Sequence, residues 1–447
     1  MQSTSRVRLS ALACGVVLAS TAAPTARAGE VAPADRRTVQ VVMVNFSDSA
    51  LADAAKLESA LKSAYYGKSG SLASYYNEIT RGRITFGPAG TDQVTGPLTL
   101  PVAASCDTGR IADETQKALA ATGIGKDTYD HVSIVFPNEK AKCGFGGLGT
   151  VGGGKTWMPD EHFSVDALVH EFGHNLGYHH QMRLRCPDGD LGAGCKEDGN
   201  SHKSVMGGGG SAAGLTAAEL IHNKWLTGGE LTDVTKSGTY TLRPLYGEGT
   251  GVRALRIPLG GQDKIIVEMR SKAGALDGAL QGVHAYRVAR GDYTRSALID
   301  PTTGEAKAPD ADAVRAGREL TDTARKVTVK VVSSGKTQAT VAVRLGSVAA
   351  GPGSPAPAPA SAGPAAGVAA TGPVSPGPAP VAAAKPGGTA VSEAPAPTPE
   401  SGVRTHVGDQ RLAATGGDSS TVPLALGGAA ALALGGAALF ALRRRRP

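Results

Sequence analysis

The chain has 447 residues, among them 61 Gly and 27 Pro, with 4% aromatic residues and a formal net charge of +7. That length leaves room for two or three domains and a sizeable core. The excess charge sits at the ends: without residues 1–28 (three Arg, no acid) and 416–447 (four Arg and Asp418) it falls to +1. The basic balance therefore gives no argument for nucleic acid or another anionic partner, and no nucleic-acid partner is expected.

Residues 1–28 read as a secretory signal peptide. Arg6 and Arg8 precede an apolar run over 9–23, and Ala26-Arg27-Ala28 forms a small-residue cleavage site before Gly29. The β-branched run VQVVMVNF at 39–46 predicts a buried strand. Helical spacing follows over 50–64, and SLASYYNEITRGRITF at 71–86 predicts a helix, a glycine turn and a strand. Residues 111–121 read as helix and HVSIVF at 131–136 as a second buried strand. A glycine-rich segment then spans 143–158.

Next comes HEFGHNLGYHH, which places four of the ten histidines within residues 170–180. Ser164 is a candidate N-cap with Asp166 in the first turn. Val165, Leu168, Val169, Phe172 and Leu176 follow at spacings of three and four, which is one apolar helix face. Gly177 can end the helix by taking a left-handed conformation. His170 and His174 are four apart and share a helix face, one turn from each other. Glu171 lies beside that face, where it can reach a water on a metal without ligating it. His180, past the glycine break, can approach from a new direction. Three imidazoles leave a fourth position for water, as in catalytic zinc sites. His179 is an alternative third ligand, one residue out of register.

At 215–226, LTAAELIHNKWL predicts a helix with a Thr216/Glu219 capping box. From 232 to 345, short runs such as KIIVEM, GVHAYRV and VTVKVV alternate with turn residues and predict a small all-β module, a sandwich. Residues 346–411 are Pro, Ala and Gly with scarcely any large apolar residue and read as a linker. LAATG stands at 412–416, an uncharged stretch at 421–442 is long enough to span a bilayer, and Arg443–Arg446 follow it. The expected divisions are therefore 1–28, 29–231, 232–345, 346–411 and 412–447. Of the cysteines that remain after signal removal, Cys106, Cys143, Cys186 and Cys195 allow three pairings. Cys186–Cys195 and Cys106–Cys143 are preferred for an exported protein.

The stretch 170–180 matches H-E-x-x-H-x-x-G-x-x-H at every specified position and so resembles the metzincin zinc signature. The resemblance implies an α+β catalytic domain at 29–231. It also implies one Zn²⁺ on His170, His174 and His180, with Gly177 as the motif glycine and Met206 of SVMG as the methionine turn beneath the metal. A tyrosine ligand two residues on is not expected, since Gly208 stands there. The order of VQVVMVNFSD, YYNEITRGRITF, YDHVSIVFPN, the glycine-rich segment, the zinc motif and SVMGGG is similar to gametolysin-like metallopeptidases. Zinc-assisted hydrolysis of peptide bonds is implied, with a zinc-bound water and Glu171 as general base. The 144–154 segment would offer an edge strand to an extended substrate, the alternative being a surface loop. The C-terminal pattern resembles a sortase signal, which implies cleavage between Thr415 and Gly416 and attachment to peptidoglycan at the surface of a Gram-positive type cell. Expected partners are a protein or peptide substrate, sortase and peptidoglycan, with the chain itself a monomer. The competing reading is a surface adhesin on a metzincin fold with little or no catalysis. Intact Glu171 argues against it. Hydrolysis of peptidoglycan cross-links fits the location without residue-level support. The acids Asp188, Asp190, Glu197 and Asp198 give no ground for a calcium site.

Overall fold

The computed structural model describes residues 35–192, 194–302 and 313–346, and the backbone of 412–416. The expected signal peptide, nearly all of the linker and the apolar stretch at 421–442 lie outside these residues. Among the described residues no helix is long and apolar enough to cross a membrane.

The first half runs β1 (Asp35–Asn45), α1 (Ala54–Tyr66), α2 (Leu72–Thr80), β2 (Ile84–Pro88), β3 (Val94–Thr99), α3 (Thr108–Ala121), β4 (His131–Phe136), α4 (Asn138–Ala141), β5 (Phe145–Thr150), β6 (Lys155–Pro159) and α5 (Val165–Asn175). Then follow β7 (Met182–Arg185), β8 (Lys196–Asn200), α6 (Ala217–His222), β9 (Leu231–Asp233), β10 (Gly238–Leu242), β11 (Ala254–Gly260), β12 (Asp263–Arg270), β13 (Gly282–Val288), β14 (Ala297–Asp300), β15 (Glu319–Asp322), β16 (Val327–Ser334), β17 (Ala339–Leu345) and β18 (Leu412–Gly416). Several sheets and few helices make a mixed architecture, compatible with an α+β catalytic domain.

The first sheet has the order β18-β5-β6-β4-β1-β2, with β3 beside the second half of β1. β1 pairs in parallel with β2, β3 and β4, and β4 with β6. Strands covered on both faces need continuous apolar runs, which is why VQVVMV and HVSIVF are buried along their length. β5 reverses direction and joins β6 antiparallel, turning the glycine-rich segment into a hairpin whose outer strand β5 is itself paired with β18. α5 packs Leu168, Val169 and Phe172 into the core with Tyr65, Tyr76 and Phe86. Each such buried side chain contributes about 1.5–3 kcal/mol.

The second sheet, β8-β7-β14-β13-β12-β11-β9, and the third, β10-β17-β16-β15, share one apolar core that includes Leu255, Ile265, Val267, Val329, Val341 and Val343. Strands from both sides of residue 231 join the second sheet, because β7 pairs in parallel with β14 from Met182↔Ala297 to Arg185↔Asp300. The chain just past His180 is thus built into the β region. Disulfides join Cys106 to Cys143 and Cys186 to Cys195, with Cα separations of 5.3 and 4.3 Å. Asp198 is engaged by Arg183 and Arg185.

Candidate metal centre

α5 starts where the Ser164 hydroxyl accepts from the Ala167 amide at 3.1 Å, an N-cap worth about 1 kcal/mol. It ends in a paired cap. The Tyr178 amide donates to the Gly173 carbonyl, and the Gly177 amide to that of His174. Gly177 sits at φ +100°, a left-handed conformation that glycine adopts without steric cost. This reversal carries His180 back toward the helix. The ring centroids of His170, His174 and His180 lie 4.7, 5.2 and 5.1 Å apart in pairs. One nitrogen from each comes within 4.8 Å of the others, and this is the one such group of possible metal-binding side chains among the described residues.

Two of the rings are fixed in one sense. His170 Nδ1 lies 2.7 Å from the Val205 carbonyl, and His174 Nδ1 lies 2.7 Å from the Tyr178 carbonyl. A carbonyl only accepts, so each Nδ1 carries the proton and each Nε2 is left as a lone pair. Both Nε2 atoms are buried without a hydrogen-bond partner. A buried acceptor left unpaired costs about 1–3 kcal/mol, so the donor set fits a metal with affinity for imidazole. Burial pulls the pKa of His170 down to about 4 and that of His174 to about 2, and it also lowers His180. The imidazoles are therefore neutral at pH 7, as ligands must be. His179 stays outside the group, with the Arg295 guanidinium 3.1 Å from its Nε2.

Glu171 is buried and is not part of the ligand group. It lies against the β5–β6 hairpin. A methyl group placed on Gly147 would come within 2.7 Å of Glu171 Cγ, and one on Gly149 within 2.5 Å of the Glu171 carbonyl oxygen and 3.1 Å of Oε2. The glycines of β5 are therefore the space into which Glu171 fits. Gly149→Ala is expected to cost about 1–3 kcal/mol of stability by overpacking and to lower hydrolysis further by displacing Glu171. Urea unfolding and turnover measured on one sample check this, and parental values for both would contradict it.

The methionine expected beneath the ligands is fully buried. Its Sδ lies where a Cβ on Gly173 would be, at 2.1 Å, so the residue between the two helix histidines has no room for a side chain. The turn that presents Met206 closes through the Gly207 amide on the Ser204 carbonyl, and the Met206 carbonyl accepts from the Gln181 amide next to His180.

Sequence reasoning missed two supports. Asn175, one residue after His174, faces His131 at 3.0 Å and donates to the carbonyls of Thr150 and Lys155. The Gly152 amide also donates to the His174 carbonyl, so the hairpin is tied to the ligand helix at both layers. The second support is Glu219, identified in the sequence only as half of a capping box. Its carboxylate accepts from the Thr216 amide at 2.6 Å and from the Ser204 hydroxyl at 2.8 Å, bracing the methionine turn. Burial raises its pKa from 4.5 to about 7, partly offset by these hydrogen bonds. A carboxyl raised on folding stabilises the fold fully below pH ~4.5 and loses that contribution as pH rises through ~7. Glu219→Gln should therefore gain stability relative to the parent by roughly 3 kcal/mol between pH 4.5 and pH 8. Urea melts of both proteins at the two pH values measure the difference. An unchanged difference would place the carboxyl back near its ordinary range.

The site therefore defines a protein built to hold a metal ion on three imidazoles beside a buried carboxylate. Residues 38–229 match the family model of gametolysin peptidase M11, which supports a metallopeptidase. No curated protein matches the chain. A solved structure titled "Structure of a chaperone-substrate complex" is similar at 18% identity and a TM-score of 0.21, over 33% of this chain and 25% of that one. The chain spans a quarter of that structure's length, and the likeness carries no argument.

Proposed function

We propose that the protein is a secreted zinc endopeptidase of the metzincin type, anchored to the cell wall through its C-terminal segment. The observation that carries the proposal is the convergence of the His170, His174 and His180 nitrogens within 4.8 Å, with the first two Nε2 atoms buried and unpartnered. Zinc is the metal that three neutral imidazoles with an open fourth position suit best, and when bound it supplies Lewis-acid activation of water and of the scissile carbonyl. Gly177 gives His180 its approach, and Met206 fills the space under the ligand helix.

Glu171 takes the proton of the attacking water and returns it to the leaving amine. Its burial beside neutral histidines keeps solvent from competing for that proton. β5 is the strand on which an extended peptide adds antiparallel through backbone hydrogen bonds, and its glycines let the peptide run close to Glu171. The signal-like residues 1–28, the LAATG motif, the apolar stretch and the arginine tail support export and sortase-mediated attachment through Thr415. The linker would carry the folded part through the wall.

Metal-replete full chain incubated with a mixed library of quenched peptides tests this reading. Cleavage that a chelator removes and added zinc restores is expected. Metal binding without cleavage of any peptide would leave the binding-protein reading in its place.

A further inference from the structure

The LAATG motif does not stand apart from the metal centre. Leu412–Gly416 forms β18, antiparallel to β5 on the edge that β6 leaves open. The register is Leu412↔Thr150, Ala413↔Gly149, Ala414↔Leu148 and Thr415↔Gly147, with a shift before Gly416↔Phe145. β18 also comes against the ligand helix α5. The two β5 residues that face Glu171 are Gly147 and Gly149, and these are the partners of Thr415 and Ala413. The irregularity in the pairing falls at the Thr415–Gly416 bond.

We infer that Leu412–Gly416 is an occupant in cis of the peptide cleft, holding β5 in the place of substrate. The inference rests on the reading of β5 as the substrate strand. An edge strand has one free row of amides and carbonyls, so it pairs with one peptide at a time. Substrate and β18 therefore exclude each other. The intervening residues 347–411, at up to about 3.3 Å each, reach on the order of 200 Å, far more than the span of the fold requires. Tethering gives a segment an effective concentration of roughly millimolar or less, so an intrinsic affinity of about 0.1 mM holds the cleft about tenfold in favour of the closed form. The same exclusion links restraint to anchoring, because a motif paired with β5 is withheld from a sortase. Capture of Thr415 by that enzyme would remove the occupant and leave the cleft open in the wall-attached protein.

The test compares the full chain with a variant carrying Ala413→Pro and Ala414→Pro. Proline at both parities removes the amide donor that faces β5, whichever it is. Two readings are taken on metal-loaded protein: hydrogen exchange of amides 145–150, and hydrolysis of a quenched peptide. Exchange in 145–150 should be about tenfold faster in the variant, and hydrolysis should rise by a similar factor. A synthetic peptide with the sequence of residues 408–420 should reverse both. Equal exchange in parent and variant would overturn the inference, even where hydrolysis depends on metal and Glu171 and the peptidase reading stands. Faster exchange with no hydrolysis by either protein would support the pairing and overturn the peptidase reading. Cleavage of the 408–420 peptide within its LAATG segment by the variant would make the segment a substrate and overturn its role as a restraint.

Discussion

Glu171→Ala should retain one metal ion per chain and lose peptide hydrolysis by about 10²–10⁴-fold in kcat, the range of a positioned general base. Metal binding survives because the carboxylate lies outside the group of three imidazoles and because the Nδ1 contacts that set their tautomers run to Val205 and Tyr178. The loss should fall on kcat and leave KM nearly unchanged, since Glu171 faces the β5 glycines and, in the proposed binding mode, a peptide would be held by the β5 backbone and not by the carboxylate. Steady-state kinetics, metal analysis and a thermal melt of one preparation distinguish this from misfolding. A variant that keeps more than about a tenth of the parental kcat would remove Glu171 from the proton transfer.

His174→Ala should have a larger and different effect. It deletes a ligand, empties a fully buried volume and leaves the Tyr178 carbonyl without its donor. Metal content should drop from one per chain toward zero at micromolar metal, and activity with it. Bound metal stabilises a protein by about 4 kcal/mol at a thousand times its dissociation constant. The parent should therefore lose several degrees of Tm on chelation, while His174→Ala starts at the lower value and shows no further change. Truncating a buried ring adds a cavity cost of a few kcal/mol. A variant that still binds one equivalent tightly would exclude His174 as a ligand.

Much of the site was legible in the sequence, because ligands on one helix obey one period. The spacing of His170 and His174, the helix stop at Gly177 and the return of His180 are local geometry, which a short stretch of sequence fully specifies. Met206 was legible only through the resemblance, since no local rule ties a methionine to a helix histidine 32 positions upstream of it. Gly173 was not legible at all: the motif leaves that position open, and its constraint is the sulfur of Met206, which occupies the space a Cβ there would need. Asn175 and Glu219 were missed for the same reason. Each is an ordinary polar residue until the fold brings Thr150 or Ser204 to it.

The strands were read unevenly. VQVVMV and HVSIVF announce themselves because both faces are buried. β7, with the sequence MRLR, is short and half polar, and it is a strand because β14 lies beside it. The glycine-rich β5 has low strand propensity, and its place in the sheet comes from pairing with β6 and from the glycine gaps that admit Glu171. The pairing of β18 with β5 joins residues more than 250 positions apart. Nothing in the LAATG pentapeptide itself points to it.

The most direct measurement is a titration of metal-stripped full chain with zinc while hydrolysis of a quenched peptide is followed, beside the same titration of Glu171→Ala. Hydrolysis by the parent should rise linearly and break at one equivalent, while the variant binds the same single equivalent and stays at background. Hydrolysis independent of zinc, or a parent that binds its equivalent and cleaves no faster than the variant, would contradict a three-histidine zinc peptidase.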